Sequence, residues 1–175
     1  MRLRLVGVAL LAGTLAACDD PAGPAPAPNA SAGPAVDGVD HPVVVSGSGH
    51  IEAGDGLRNF TFHAVRHPDG SASGSYRIAR TDLGTSFTVD VTCLTVVGNQ
   101  AWLAGRIASA DGGGVLPGTI SYFYAIDNGE GSDAPADIVS LARINDREGE
   151  DLLFCAELPT GLPPRNVQLG NVQIR

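Results

Sequence analysis

The sequence predicts an all-β domain: an antiparallel meander of about eight strands, rolled into a closed or nearly closed β-barrel, with a β-sandwich as the alternative. Three observations carry this expectation. Apolar and polar residues alternate at period two through most of the chain after Val43. No segment sustains a 3.6-residue apolar period. Glycine, 23 of 175 residues, and short turn motifs punctuate the apolar runs at close intervals. Period two puts successive side chains on opposite faces of a sheet, and dense Gly punctuation breaks helices sooner than strands.

Taken in order, the expected strands cover 43–52, 57–66, 71–80, 86–97, 100–109, 117–126, 136–144, 151–157 and 166–174, eight or nine in all. Asn59–Ala64 alternates cleanly. Phe87-Thr-Val-Asp-Val-Thr-Cys93 alternates too, which predicts Phe87, Val89, Val91 and Cys93 on one face. Ile120, Tyr122, Tyr124 and Ile126 share another face. Leu152-Leu153-Phe154-Cys155 is a short apolar run, read as a strand. The connections agree. In His67-Pro68-Asp69-Gly70 the proline presets φ and the glycine accepts positive φ. Gly98-Asn99, between two apolar runs, suits a two-residue hairpin of type I′ or II′. Asp111–Gly114 is a further turn, and Asp127–Pro135 a longer polar loop. The last segment changes apolar phase at Gly170, so a bulge is expected there. A meander this long must close or fold over to manage its edges.

The first 42 residues read differently. Arg2 and Arg4 precede an apolar run from Leu5 to Ala17, too short for the ~20 residues of a membrane helix. A charged start, a short apolar run and small residues before a break mark a signal segment, 1–17. Leu15-Ala16-Ala17-Cys18 resembles the lipobox of bacterial lipoproteins. That resemblance implies cleavage before Cys18, lipid on its thiol and N-terminus, and an address in the cell envelope outside the cytoplasm; two or more acyl chains hold a protein stably at a bilayer. Residues 18–42, with PAGPAPAPNASAGPA, form an expected Pro/Ala-rich tether of semi-stiff polyproline character. The β-domain is expected over 43–175.

Composition narrows the partners. All eleven basic residues are arginine, and there is no lysine for Schiff-base chemistry. After removal of the leader, nine arginines face nineteen Asp and Glu, a net charge of −10. Such a chain lacks the cationic surface that holds nucleic acid or anionic lipid headgroups. Its expected tie to the membrane is therefore the lipid on Cys18. With Cys18 so assigned, Cys93 and Cys155 remain as a pair in an oxidising compartment, which reads as a disulfide closing a loop of about 60 residues. Two buried thiols or a metal pair are the rival readings.

Four segments occur together: Gly47-Ser48-Gly49-His50, Val91-Thr92-Cys93-Leu94-Thr95-Val96-Val97-Gly98-Asn99, Asp127-Asn128-Gly129-Glu130-Gly131 and Gly170-Asn171-Val172-Gln173-Ile174-Arg175. In combination they resemble an uncharacterised family of secreted bacterial β-domains with VTCL-x-V-x-GN, DNGEG and terminal GNVxVR blocks. The resemblance spans roughly 45–175. It implies an extracytoplasmic β-domain and transfers no activity, ligand or catalytic residue.

Few residues suggest chemistry. Asp127, Asn128, Glu130, Asp133 and Asp137 offer the oxygen ligands that calcium takes, with glycines to fold around it, although the spacing departs from the EF-hand register. His50 and Glu52 share a strand face, and His63 and His67 flank a turn, but no third zinc ligand can be named. Ser48 beside His50 lacks the Gly-x-Ser-x-Gly elbow and an orienting third group. Gly47-x-Gly49 lacks the third glycine and the helix of a phosphate loop, so no cofactor is expected. Trp102, Tyr122, Phe123 and Tyr124 fit core packing better than a ligand pocket. The expected function is a non-enzymatic binding or protein-interaction domain. A small apolar-ligand carrier with a hollow barrel is the alternative, and a hydrolase the second.

Overall fold

Long alternating strands joined by tight turns leave each strand beside the one before it, and that rule builds most of the molecule. The computed structural model describes residues 41–175. Cys18, the leader and the tether through residue 40 lie outside the described residues. The strands are β1 (Val43–Glu52), β2 (Leu57–Arg66), β3 (Ala72–Arg80), β4 (Thr85–Val97), β5 (Gln100–Asp111), β6 (Ile120–Ile126), β7 (Ile138–Ser140), β8 (Arg143–Asn145), β9 (Pro164–Asn166) and β10 (Gln168–Ile174), with one helix, α1 (Glu150–Glu157). They form a single antiparallel sheet in the order β10-β1-β2-β3-β4-β5-β6-β7-β9, with β8 pairing β6. Only Val167 separates β9, at one end of that order, from β10 at the other. The sheet thus rolls into a nearly closed barrel, and the last stretch of chain straddles its seam.

The expected turns form. His67 accepts the Gly70 N–H at 2.9 Å, with Gly70 at φ 83°. Val97 pairs with Gln100 across Gly98-Asn99. Gly98 has φ 59° and Asn99 is not among the positive-φ residues, which is the II′ pattern. The bulge in the last strand also forms. Ser48 pairs with Asn171 but His50 pairs with Gln168, so Leu169 and Gly170 together oppose Gly49.

Inward residues fill the barrel. Phe60, Phe62, Tyr76, Leu103, Phe123 and Val172 belong to one buried cluster. The Phe123 ring lies 5.4 Å from Phe62 and meets Tyr76 edge-on at 4.9 Å. The cavity left beneath Phe60, Phe62, Tyr76 and Phe123 is about 10 Å³. Burial pushes the Tyr76 phenol well above its ordinary ionisation range, with nearby Ser121 as a weaker opposing influence.

Three sequence expectations are corrected. Residues 151–157 are helical, not a strand. Asp151, Phe154 and Cys155, at positions i, i+3 and i+4, form the buried side of α1, while Leu152 and Leu153 are exposed. The apolar run was too short to separate the two periods. Second, Cys93 does not share a face with Val89 and Val91. The register slips between Val91 and Cys93, Thr92 is the extra residue, and the bulge turns Cys93 to the outer wall. Third, 136–144 is not one strand but two short ones, β7 and β8, which pair different stretches of β6.

The outer wall carries a second cluster. Cys93, Trp102 and Tyr124 face outward from β4, β5 and β6 and are covered by Phe154, Cys155 and Leu162. Cys93 and Cys155 are joined in a disulfide with Cα atoms 6.3 Å apart. The Tyr122 ring packs tilted against Phe154 with centroids 4.6 Å apart, and the Trp102 indole donates to the Pro159 carbonyl at 3.1 Å. An eight-residue helix is marginal alone in water, so these contacts to the barrel hold it.

Candidate functional site: the seam and the far mouth

The register sorts the loops to two ends of the barrel. At the near end lie Val43, the 67–71 turn, the Gly98-Asn99 turn, the 127–137 loop and Ile174. At the far end lie the 53–56, 81–84 and 112–119 connections.

The acidic loop closes the seam at the near end. Asp127 and Asp137 stand at its base, one residue beyond the Ile126–Ile138 pair of β6 and β7. Val44 and Arg175 exchange both of their backbone hydrogen bonds. By antiparallel alternation, Val172 and Ile174 then point their N–H groups away from β1 into the seam. The Asp137 carboxylate accepts the Val172 N–H at 2.7 Å, and the Asp127 carboxylate accepts the Ile174 N–H at 3.0 Å. The Asp137 carbonyl accepts the Val167 N–H at 2.8 Å. Glu130 accepts from the Asn171 and Gln173 side-chain amides at 2.8 and 3.0 Å. Those two amides, with a smaller pull from Arg175, hold the Glu130 carboxyl below its ordinary range.

Residues of all four sequence blocks lie along this seam, the second block through Asn99. Gly47 and Ser48 pair with Val172 and Asn171. Asn99 binds the Asp127 backbone twice, its carbonyl accepting the Asp127 N–H and its side-chain amide donating to the Asp127 carbonyl. Asp127 and Glu130 bind the terminal block.

Of the calcium candidates, Asp127, Asn128, Glu130 and Asp137 are gathered at the seam, but their carboxylates face protein N–H donors. Asp137 also accepts the Asn128 N–H, and Asp127 the Gly129 N–H. Asp133 is exposed. Among the described residues no three His, Cys, Asp or Glu side chains form a group that could hold a metal. Ser48 is exposed, and the His50 Nδ1 is buried without a hydrogen-bond partner. His67 bonds Ser73 at 2.8 Å. Trp102, Tyr122 and Tyr124 face α1, while Phe123 faces the interior, so no single face carries all four.

Sequence reasoning missed the far mouth. A groove of about 230 Å³ opens there, walled by Ile78, Phe87, Val115 and Ile144, with Arg58 and Arg80 at its edge and Leu83 on its rim. Leu83 and Ile144 are 59% and 42% exposed. Arg58 and Arg80 share Asp55, at 3.2 and 2.8 Å, and Arg80 also meets Asp82 at 3.1 Å. The Arg58 hydrogen bond, and beyond it the charge of both arginines, keeps Asp55 below the usual carboxylate range. At these exposures such pairs orient the guanidinium groups more than they stabilise the fold. Only cross-strand pairing brings the lining residues together; their spacing in the chain gave no signal.

No family model, no curated protein and no solved structure matches the chain.

Proposed function

We propose that this protein is an envelope lipoprotein whose barrel is a binding or protein-interaction domain, presented on a Pro/Ala-rich tether and acting through its outer surface. The observation that carries this reading is the close-packed aromatic core around Phe123. A space of about 10 Å³ has room for roughly one water, whereas small-molecule pockets run to several hundred Å³. A partner then meets the surface of the barrel, and the groove in the far mouth, at the end opposite Val43 and walled by Ile78, Phe87 and Val115, is the site offered. The lipobox-like Leu15–Cys18 segment supports the anchor.

Detergent-phase partition and intact mass of the envelope-purified full chain test the anchor. The wild type should enter the detergent phase with added acyl mass, and Cys18→Ser should lose both. A Cys18→Ser protein that stays membrane-bound overturns the anchor. Photo-crosslinking residues at Leu83 and Ile144, against one at exposed Thr61 on the barrel wall, test the surface. Adducts confined to the first two positions support it, and adducts at Thr61 alone overturn it.

A further inference from the structure

The two edges of β10 are held in different ways. Its inner edge pairs with β1 from Val45–Ile174 to Ser48–Asn171 in regular register. Among the described residues its outer edge pairs with no strand. Instead the Val172 and Ile174 N–H groups are taken by the Asp137 and Asp127 carboxylates, and Glu130 holds the Asn171 and Gln173 side chains. All three acids belong to one loop, 127–137. A pivot lies near the start of the strand, at the bulge: Leu169 has φ 49° and is 92% exposed, so it contributes almost no packing to keep the bend shut. Left-handed backbone is disfavoured for a non-glycine residue, a strain that straightening would relieve.

We propose that β10 is a latch strand that opens and closes on β1 as a unit of its own, fastened by the 127–137 loop. Opening bares the β1 edge from Val44 to Ser48 and costs the burial of Val172 and Ile174. Most of the remaining core (Phe60, Phe62, Tyr76, Leu103, Phe123) sits on other strands. A local opening of this kind lies below the global unfolding free energy.

Residue-resolved amide exchange of the full chain at neutral pH tests the latch. Val172 and Ile174 should exchange faster than Leu103 in the wild type. In Asp127→Asn/Asp137→Asn, which keeps shape but leaves each side chain one neutral acceptor oxygen where two charged oxygens each took an N–H, their protection should fall about tenfold further while Leu103 stays unchanged. An oxidised Ser46→Cys/Gln173→Cys pair, across registered positions of β1 and β10, should restore protection. If the double Asn variant does not fold, Glu130→Gln on the exposed part of the loop gives the same readout at Asn171 and Gln173. The latch is overturned if Val172, Ile174 and Leu103 exchange together, or if the loop substitutions leave Val172 and Ile174 unchanged.

Discussion

The Asp137 carboxylate stands where a neighbouring strand would stand, with its Oδ2 2.7 Å from the Val172 nitrogen and its Oδ1 2.8 Å from that of Asn128. Asp137 is only 5% exposed and Val172 is wholly buried, so water cannot replace the bond between them, whereas Asn128 is half-buried.

Asp137→Ala leaves two backbone N–H groups without acceptors. The Val172 N–H is buried, and an unsatisfied buried donor costs about 1–3 kcal/mol, so urea unfolding should show a loss of roughly that size. Asp137→Asn keeps one acceptor oxygen, which can serve the buried Val172 N–H while the half-buried Asn128 N–H turns to water, and should lose less.

The disulfide bridges residues 62 apart. The chain-entropy relation gives about 4 kcal/mol for a loop of that length. Cys93→Ala/Cys155→Ala should therefore shift the urea midpoint strongly downward. Adding a reductant should shift the wild type and leave the double variant unmoved.

Gly105 and Gly98 should answer alanine differently. A Cβ on Gly105, in β5, would run into the Asp90 carbonyl of β4. The sheet must move there, and overpacking of that kind costs about 1–3 kcal/mol or more. Gly98 has open space around it, so Gly98→Ala meets only the backbone cost of φ 59°, about 1–2 kcal/mol. Thermal unfolding of both variants should rank Gly105→Ala as the less stable.

Glu130 gives the seam a pH dependence of known sign. Its folded-state carboxyl is held below the ordinary value of 4.5 by Gln173 and Asn171, with Arg175 contributing. Its contribution to stability is present above that value and is lost as pH falls through the lower folded-state value. The stability difference between wild type and Glu130→Gln, followed by urea unfolding from pH 7 downward, should shrink below about pH 4.5. A difference that grows on acidification would contradict the assignment. β6, β7, β10 and the Gly98-Asn99 turn carry no acid, histidine or basic residue.

The strands from 43 to 126 were legible because each is long enough to show its period, and because Pro68-Asp69-Gly70 and Gly98-Asn99 announce their turns. The helix was not legible. Its buried side includes the acid Asp151, whose carboxylate accepts the Thr92 hydroxyl at 2.6 Å, so the stripe did not look apolar. Glu150 and Asp151 in the first turn were the available helix signal. Cys93 was read on the wrong face because a bulge at Thr92 shifts the alternation without changing the sequence pattern. The 127–137 acids were recognised as a cluster, but their partners lie 35 to 47 residues onward. Only closure of the barrel brings those partners within reach.

Trp102 is the chain's single tryptophan, and it sits under α1 on the outer wall, not among the interior aromatics. Its indole touches the segment that follows the helix. Intrinsic fluorescence of this protein is therefore a spectroscopic gauge of whether that cover is seated. A change in emission would register undocking of residues 150–162 even while the barrel interior stayed packed.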